Sequence, residues 1–203
     1  MRMRYTPREI ARIALFVALA AASVYLARLI PPVVIFGTGV PVSFMPAISA
    51  LAGILLGARN GATAMFVYLV AGLIGLPVYA GGTGGIGHVL APTFGFILGF
   101  IAAAWVAGRI AGQSSRPARL VVASVLALVP LYAVGIVYMA AVLNLYLHQS
   151  APIAGLVLSM TPFVVKDVVE NAAAGLLAAA LIRRLFPERL GTVAGEAGAR
   201  ESA

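Results

Sequence analysis

Cysteine is absent from this 203-residue chain, which removes disulfides, thiolate nucleophiles, zinc knuckles and iron–sulfur clusters from consideration. Charge is nearly as scarce: 10% of residues are Asp, Glu, Lys or Arg, against roughly 25% in an ordinary soluble domain. Acids are the scarcest of all. Six occur, and Glu9 stands alone before Asp167, so an aqueous enzyme built on paired carboxylates has no place in the first three quarters of the sequence. There is no H-E-x-x-H, no G-x-S-x-G and no G-x-x-x-x-G-K-[ST], so zinc-protease, serine-hydrolase and phosphate-loop ATPase chemistry all lack their residues. The expectation is a protein that is not an enzyme. Histidine is limited to His88 and His148; with so few candidate ligands no metal or other cofactor is expected, and neutral interfacial rings are the simpler reading.

What the chain has in abundance is apolar surface. Hydrophobic residues make up 62% of it and the mean hydropathy is +1.04, more than a soluble chain of this size could hide. The solvent must be lipid. Apolar runs of about 17–25 residues are long enough to cross a bilayer as helices, and six candidates can be read: 10–30, stopped by Pro31-Pro32; 42–57 and 62–76, both short and joined by the turn Ala58-Arg59-Asn60-Gly61; 89–108; 120–147, in which Pro130 predicts a tilt or kink; and 154–182. The expected fold class is therefore all-α, an integral membrane six-helix bundle. A single membrane domain should cover residues 1–187, followed by a Gly/Ala-rich tail over 188–203 that is expected to be disordered.

Basic residues concentrate on the cytoplasmic side of membrane proteins. Twelve of the fourteen here fall before or at the very start of the first run, between the second and third, after the fourth or after the sixth. Six crossings put all four segments on one face, leaving Arg28 and Lys166 near the other, so both termini are expected in the cytoplasm and the chain in the cell membrane. A cleaved signal peptide is not expected, because the apolar stretch after the Arg-rich start is too long. The net charge of +8 calls for no nucleic acid, since the arginines mark loops and no basic patch with interleaved aromatics is present.

Two polar concentrations break the apolar pattern. Gly82-Thr83-Gly84-Gly85-Ile86-Gly87 matches G-x-G-x-x-G, but the dinucleotide fingerprint needs a strand before it, a helix after it and an acid about 20 residues on. Here it joins two membrane helices. The stretch from Gly75 to His88 is better read as an extracellular loop in which Gly81, Gly82, Thr83 and Gly84 let backbone approach a ligand, with a merely flexible connector as the alternative. Tyr79, Tyr132, Tyr138 and Tyr146 could line a pocket or belong to an aromatic belt. The second concentration, Lys166-Asp167-Val168-Val169-Glu170-Asn171, lies inside the sixth run, where ionisable groups are expensive and usually face a bundle interior or a watery cavity. Asp167, Glu170 and Asn171 share one helix face, and Lys166 can pair with Glu170 at i, i+4. The alternative is a cluster that snorkels to water. Ala14, Ala18 and Ala22 in the first run form a small-x-x-x-small ladder suited to close helix approach, although alanine is common enough here for chance to produce it.

Taken together, Val40-Pro41-Val42-Ser43, Leu56-Gly57-Ala58-Arg59-Asn60-Gly61-Ala62, the run from Gly75 to Gly85, Pro92-Thr93 with Gly95 to Phe100, and Pro162-Phe163 with Asp167 resemble the BioY family over about residues 10–186. BioY proteins are biotin-binding S components of energy-coupling factor (ECF) transporters. The resemblance implies a six-helix membrane protein that binds a small vitamin, biotin or a relative, near its extracellular face. It also implies partners: a membrane coupling protein, for which Ala14, Ala18 and Ala22 would be the docking surface, and two ATPase subunits. With the glycine-rich loop and the intramembrane charges as the binding surface, the expected ligand-binding set is Asp167, Lys166, Glu170, Asn171, Tyr79, Gly81, Gly82, Thr83 and Gly84.

The sequence also departs from the family pattern. Met45 stands where a glutamine is common, Phe94 where a glycine is common, and the family's Asp-x-x-Lys reads Asp167-Val168-Val169-Glu170. Lys166 leaves the helix about 100° round from Asp167, so it is not expected simply to replace the missing lysine. A ligand neutral or cationic at that end would suit Glu170. A proton-coupled carrier acting alone, with Asp167 and Glu170 as relay groups, is the alternative.

Overall fold

A computed structural model describes residues 5–185 apart from 28, 30, 32, 36 and 41. The tail 188–203, together with Arg2, Arg4, Arg28, Pro41, Arg189 and Arg200, lies outside the described residues. The chain is helical almost throughout: α1 (Pro7–Ala27), α2 (Met45–Leu56), α3 (Ala58–Leu73), α4 (Phe94–Ala111), α5 (Pro117–Leu126), α6 (Leu128–Ala141), α7 (Ile153–Ser159) and α8 (Thr161–Leu185). Among the described residues three stretches are long and apolar enough to cross a membrane, α1, α4 and the continuous run Pro117–Tyr146.

Local chemistry accounts for the helix boundaries. Thr6 and Glu9 form a capping box at the start of α1: the Thr6 backbone N–H and hydroxyl donate to Glu9 Oε2 at 2.8 and 2.9 Å, and the Glu9 N–H donates to Thr6 Oγ1 at 3.3 Å. The chain reverses between α2 and α3 at Gly57 alone, with φ 86° and ψ 162°. The turn expected over Ala58 to Gly61 is thus the first turn of α3, because a glycine that reaches positive φ reverses the chain without a four-residue loop. The expected kink falls at Ala127, between α5 and α6. Pro130 sits in the first turn of α6, where its missing N–H is least costly and its ring cannot continue the preceding helix. The sixth run is likewise divided at Met160. Pro162 then occupies the second position of α8, where proline is tolerated.

An all-α expectation missed one element. Residues Val33–Ile35 (β1) and Thr38–Val40 (β2) form an antiparallel hairpin, pairing Val33 with Val40, Val34 with Gly39 and Ile35 with Thr38. Its turn contains Gly37 at φ 73°. Three consecutive β-branched residues between prolines and glycines carry the strand signal.

Small residues set the spacing of the bundle. A Cβ on Gly53 of α2 would lie 2.0 Å from the Ala104 carbonyl oxygen of α4, one on Gly108 of α4 2.3 Å from the Ala58 nitrogen, and one on Gly61 of α3 2.6 Å from the Gly53 Cα. These three helices therefore meet backbone to backbone, the mode of association that apolar solvent leaves available when hydrophobic burial cannot drive packing. The α4 helix packs against α2, α3 and α6, while α8 packs against α5 and α2.

The same contacts orient the ends. The start of α1 meets the α2–α3 turn, where Tyr5 Oη lies 2.9 Å from Thr63 Oγ1, Asn60 Nδ2 donates to Glu9 Oε1 at 3.0 Å and the Arg59 guanidinium sits 4.6 Å from the Tyr5 ring centroid. The end of α4 reaches that turn through Gly108, and the Arg119 Nε–H donates to the Ile110 carbonyl at 2.7 Å. Arg8, Arg12, Arg59, Arg109, Arg116 and Arg119 are thus carried by segments gathered at one end of the bundle. The far ends of the same helices are free to build something else.

The backbone contact of α2 with α4 yields a test. Gly53→Ala should destabilise the protein in detergent by about 1–3 kcal/mol through overpacking, read as a lower thermal midpoint. Gly87→Ala, where an added Cβ meets nothing within 4 Å, should leave the midpoint unchanged. Equal midpoints for the two variants would contradict the helix spacing described.

Candidate functional site

At the end of the bundle away from the arginines lies a cavity of about 360 Å³, within the range of about 300–1,000 Å³ typical of small-molecule sites. Its walls come from six places: Val24 late in α1, Val40, Ser43, Met45 and Pro46 at the hairpin and start of α2, Tyr68 in α3, residues 79–81 and 88 of the glycine-rich connection with the start of α4, Leu131 and Tyr132 of α6, and Met160, Phe163, Lys166 and Asp167 around the start of α8. Most of the lining is apolar or aromatic, with Met45, Phe94, Phe96, Phe100, Met160 and Phe163 prominent.

One wall is charged. Asp167 and Lys166 sit two turns into α8, and the Lys166 ammonium lies 2.7 Å from Asp167 Oδ1 and 2.8 Å from Glu170 Oε2. It also donates to the Ser43 carbonyl at 2.8 Å, tying α8 to the segment before α2. The second carboxylate oxygen of Asp167 accepts the Tyr132 hydroxyl proton at 2.7 Å. Asp167 is buried. Its Oδ1 is close enough to Lys166 to feel the charge, yet accepts no aligned hydrogen bond among the described residues. A carboxylate oxygen has two lone pairs, so this one, ion-paired to Lys166 in a cavity wall, can still accept a ligand N–H.

The approach of Lys166 to Asp167 corrects an expectation. The 100° offset between adjacent helix positions separates the Cβ atoms, but the four-carbon stem of lysine brings the ammonium back to the aspartate, and both residues line the cavity. The structure also separates the other candidates. Tyr79 and Gly81 line the cavity with Lys166 and Asp167, whereas Gly82, Thr83, Gly84, Glu170 and Asn171 are not among its lining residues. Glu170 stands behind Lys166 as its ion-pair partner. Asn171 is buried and joins α8 to α5: it accepts from Ser124 Oγ at 3.1 Å and donates to the Asp167 carbonyl at 2.9 Å.

The glycine-rich connection is built rather than slack. The Tyr79 hydroxyl donates to the Leu69 carbonyl at 2.5 Å and Tyr68 donates to the Val78 carbonyl at 2.7 Å, so the two tyrosines fasten the loop to α3. Burial pushes the Tyr79 hydroxyl up to about 12, which keeps the donated proton in place. A Cβ on Gly72 would lie 2.1 Å from the Tyr79 ring, so the ring lies against bare helix backbone. Thr83 pairs with Tyr79 across the loop through the Tyr79 N–H, which donates to the Thr83 carbonyl at 2.9 Å, and its own hydroxyl donates to the Ala80 carbonyl. The loop glycines therefore shape a turn that presents Tyr79 and Gly81. His88 continues this wall, its ring 5.2 Å from that of Tyr79 at 71°.

Several lining residues carry no signal in the sequence. Tyr68 and Met160 read as ordinary helix or loop residues, Ser43 and Phe163 entered only as part of the family resemblance with no site role, and only the folding of six segments around one space makes the four neighbours. Tyr132 was open between pocket and belt; its bond to Asp167 puts it in the cavity. On α1, Ala14, Ala18 and Ala22 are exposed, on the side away from buried Ile13, Phe16, Ala20 and Val24.

Comparison with known proteins shows the family and the fold. Residues 1–187 match the family described as the BioY family. A protein of Lysinibacillus sphaericus named "Probable biotin transporter BioY" is 38% identical over 141 residues, 68% of each chain. The "Biotin transporter BioY" of Rhodobacter capsulatus is 35% identical over 178 residues, covering 84% of this chain and 91% of its own. The crystal structure of an S-component for biotin from an ECF-type ABC transporter has the same fold, with a TM-score of 0.69 at 20% identity over 89% of this chain and 95% of that one.

The charged wall predicts a coupling between its members. Lys166→Met leaves Asp167 and Glu170 without their shared cation and should cost on the order of 2–3 kcal/mol of stability. Adding Glu170→Gln should recover part of the loss. If the single and double variants melt at the same temperature in detergent, the pair carries no such coupling.

Proposed function

The chain belongs to the BioY family, and from that premise we propose that it is the substrate-binding membrane subunit of a vitamin uptake transporter, with biotin as its ligand. In a family of transport proteins it is not an enzyme. The observation that carries the ligand reading is the pairing of a mostly apolar cavity with one charged wall whose Asp167 Oδ1 has no aligned donor. Two carboxylates against one ammonium give that wall a negative balance, which repels a ligand carboxylate and favours N–H donors. Biotin carries two such donors on its ureido ring. The ring would enter first, an N–H on Asp167, with its thioether and aliphatic parts among Met45, Phe94, Phe96 and Phe100. Asp167, Lys166, Tyr79 and Gly81 are the proposed contacts among the sequence candidates. Glu170 and Asn171 would hold Lys166 and α8 in place, and Gly82, Thr83 and Gly84 would shape the loop.

In this reading the chain crosses the cell membrane six times with both termini in the cytoplasm. What supports it is the gathering of arginines at one end of the bundle and of the cavity at the other, since the arginine-bearing side faces the cytoplasm. Energy would come from partners, because the sequence has no phosphate loop: a membrane coupling protein and two ATPases. The exposed Ala14, Ala18 and Ala22 face, with exposed Leu15 and Leu19 beside it, is the proposed contact for the coupling protein, as small residues allow close helix approach in lipid.

Purified protein should bind labelled biotin at micromolar concentration or below, and Asp167→Ala should weaken binding roughly tenfold or more, the loss expected for a hydrogen bond to a charged group. No binding at micromolar biotin would overturn the ligand reading. Reconstituted in vesicles, the protein should take up biotin only with its ATPase partners. Uptake by the chain alone, driven by a pH gradient, would instead favour a proton-coupled carrier. Ala18→Trp should block co-purification with the coupling protein while leaving biotin affinity within about twofold.

A further inference from the structure

The cavity holds a second polar group whose partner is missing. His88 is half-buried in the wall formed by the glycine-rich connection. It sits in a short 3-10 turn, Ile86–Leu90, well away in sequence from the charged residues of α8. Its backbone is fully occupied, the N–H donating to the Gly85 carbonyl at 3.2 Å and the carbonyl accepting from the Ala91 N–H at 2.9 Å. The imidazole has only the edge contact with the Tyr79 ring and makes no hydrogen bond among the described residues. The ring is thus oriented by Tyr79, which is itself bonded to α3, while its nitrogens are left for whatever fills the space beside them.

The titratable groups that line the cavity divide sharply. Lys166 is taken by Ser43, Asp167 and Glu170, and the Tyr68, Tyr79 and Tyr132 hydroxyls are bonded to the Val78 carbonyl, the Leu69 carbonyl and Asp167. Among the described lining residues, His88 is what remains. A ligand that presents N–H donors to Asp167 and ends in a carboxylate needs a donor for that carboxylate on another wall, because the α8 wall is already negative in balance. An imidazole N–H is such a donor, and it adds positive charge when protonated.

We propose that His88 is the carboxylate-reading residue of this site: its imidazole N–H donates to the acid end of the ligand, so that the cavity selects a free acid over its neutral amide. The proposal rests on the reading of the cavity as the biotin site and adds the orientation of the ligand within it. Biotin would lie with its ureido ring on the α8 wall and its valerate carboxylate at the Tyr79–His88 wall. The Tyr79 contact makes His88 more than a passive liner, because a ring fixed by an edge contact loses little freedom when it binds.

The test compares biotin with biotinamide, which keeps the ureido ring and aliphatic chain and lacks the anion. Wild-type protein should bind biotin more tightly than biotinamide. His88→Ala should weaken biotin binding about tenfold, the scale of one lost hydrogen bond to a charged group, and change biotinamide binding less than twofold. His88→Phe keeps an aromatic ring against Tyr79 without a donor and should lose biotin affinity as His88→Ala does. Retained biotin affinity in His88→Phe would assign the residue to packing and overturn the proposal, as would equal losses for both ligands in His88→Ala. If wild-type protein binds neither ligand, the biotin reading itself fails; if it binds both and the variants do not discriminate, the carboxylate reading alone fails. Monodisperse elution and an unchanged thermal midpoint establish that each variant is folded.

Discussion

Lipid offers no hydrogen bonds, and most of the structure follows from that constraint. A polar group in the apolar region must find its partner within the protein or pay several kcal/mol for having none. Three serines obey it by turning back onto their own helices: Ser23 donates to Ala20, Ser49 to Pro46 and Ser159 to Gly155. Tyrosines obey it across segments, Tyr138 donating to the Val89 carbonyl and Tyr25 to that of Pro77. Asn144 donates one amide hydrogen to the Ala140 carbonyl at the end of α6 and exchanges two bonds with the Ala151 backbone, joining the helix to the connection that follows. These bonds are what place the connections. The loop after α3 is held at the cavity because three tyrosine hydroxyls from α1, α3 and α6 require backbone carbonyls, and the loop has them.

The same constraint explains why the charged groups are few and why they lie together. An isolated carboxylate two turns into α8 would be prohibitive, so Asp167 comes with Lys166 and Tyr132, and Lys166 comes with Glu170 and Ser43. Such a cluster fixes geometry as well as satisfying charge. It joins α8 to α6 through Tyr132 and to the start of α2 through Ser43, so three walls of the cavity are referenced to one ammonium and one carboxylate. Asp167 Oδ1 is ion-paired to Lys166 without an aligned hydrogen bond, so it keeps acceptor capacity at the position where a ligand donor would add to the cluster.

Much of this was legible in the sequence because lipid solvent makes composition informative. The acid-free interval that ends at Asp167, and the arginines that punctuate the apolar runs, fixed where the interior charges and the helix ends had to be. The hairpin was not legible because Val33-Val34-Ile35 is too short to show alternation, and its β-branched residues read equally well as the edge of an apolar helix. The reversal at Gly57 was misplaced because Arg59 and Asn60 look like turn residues, although exposed polar side chains also suit the first turn of a helix. The cavity walls escaped for a different reason. Phe163 and Tyr68 become lining only through the packing of distant segments, and period and propensity carry no record of which apolar face meets empty space.

The lysine shows most clearly what a motif can and cannot transfer. A pattern such as Asp-x-x-Lys records the positions of Cα atoms, whereas recognition depends on where Nζ arrives. A lysine one residue before the aspartate starts on the wrong side of the helix, yet four methylenes and free rotation bring its ammonium to 2.7 Å from Asp167 Oδ1. A glutamate at the third position after the aspartate could not make that substitution for itself, since its stem is shorter and its charge opposite. It acts on the lysine instead, at i, i+4, holding the ammonium from behind while Ser43 holds it from the side. Asp167 therefore keeps a cation beside it although the order of residues along the helix has changed. The cost of this arrangement is a second carboxylate, which turns the α8 wall negative in balance and thereby decides which end of a ligand can approach it.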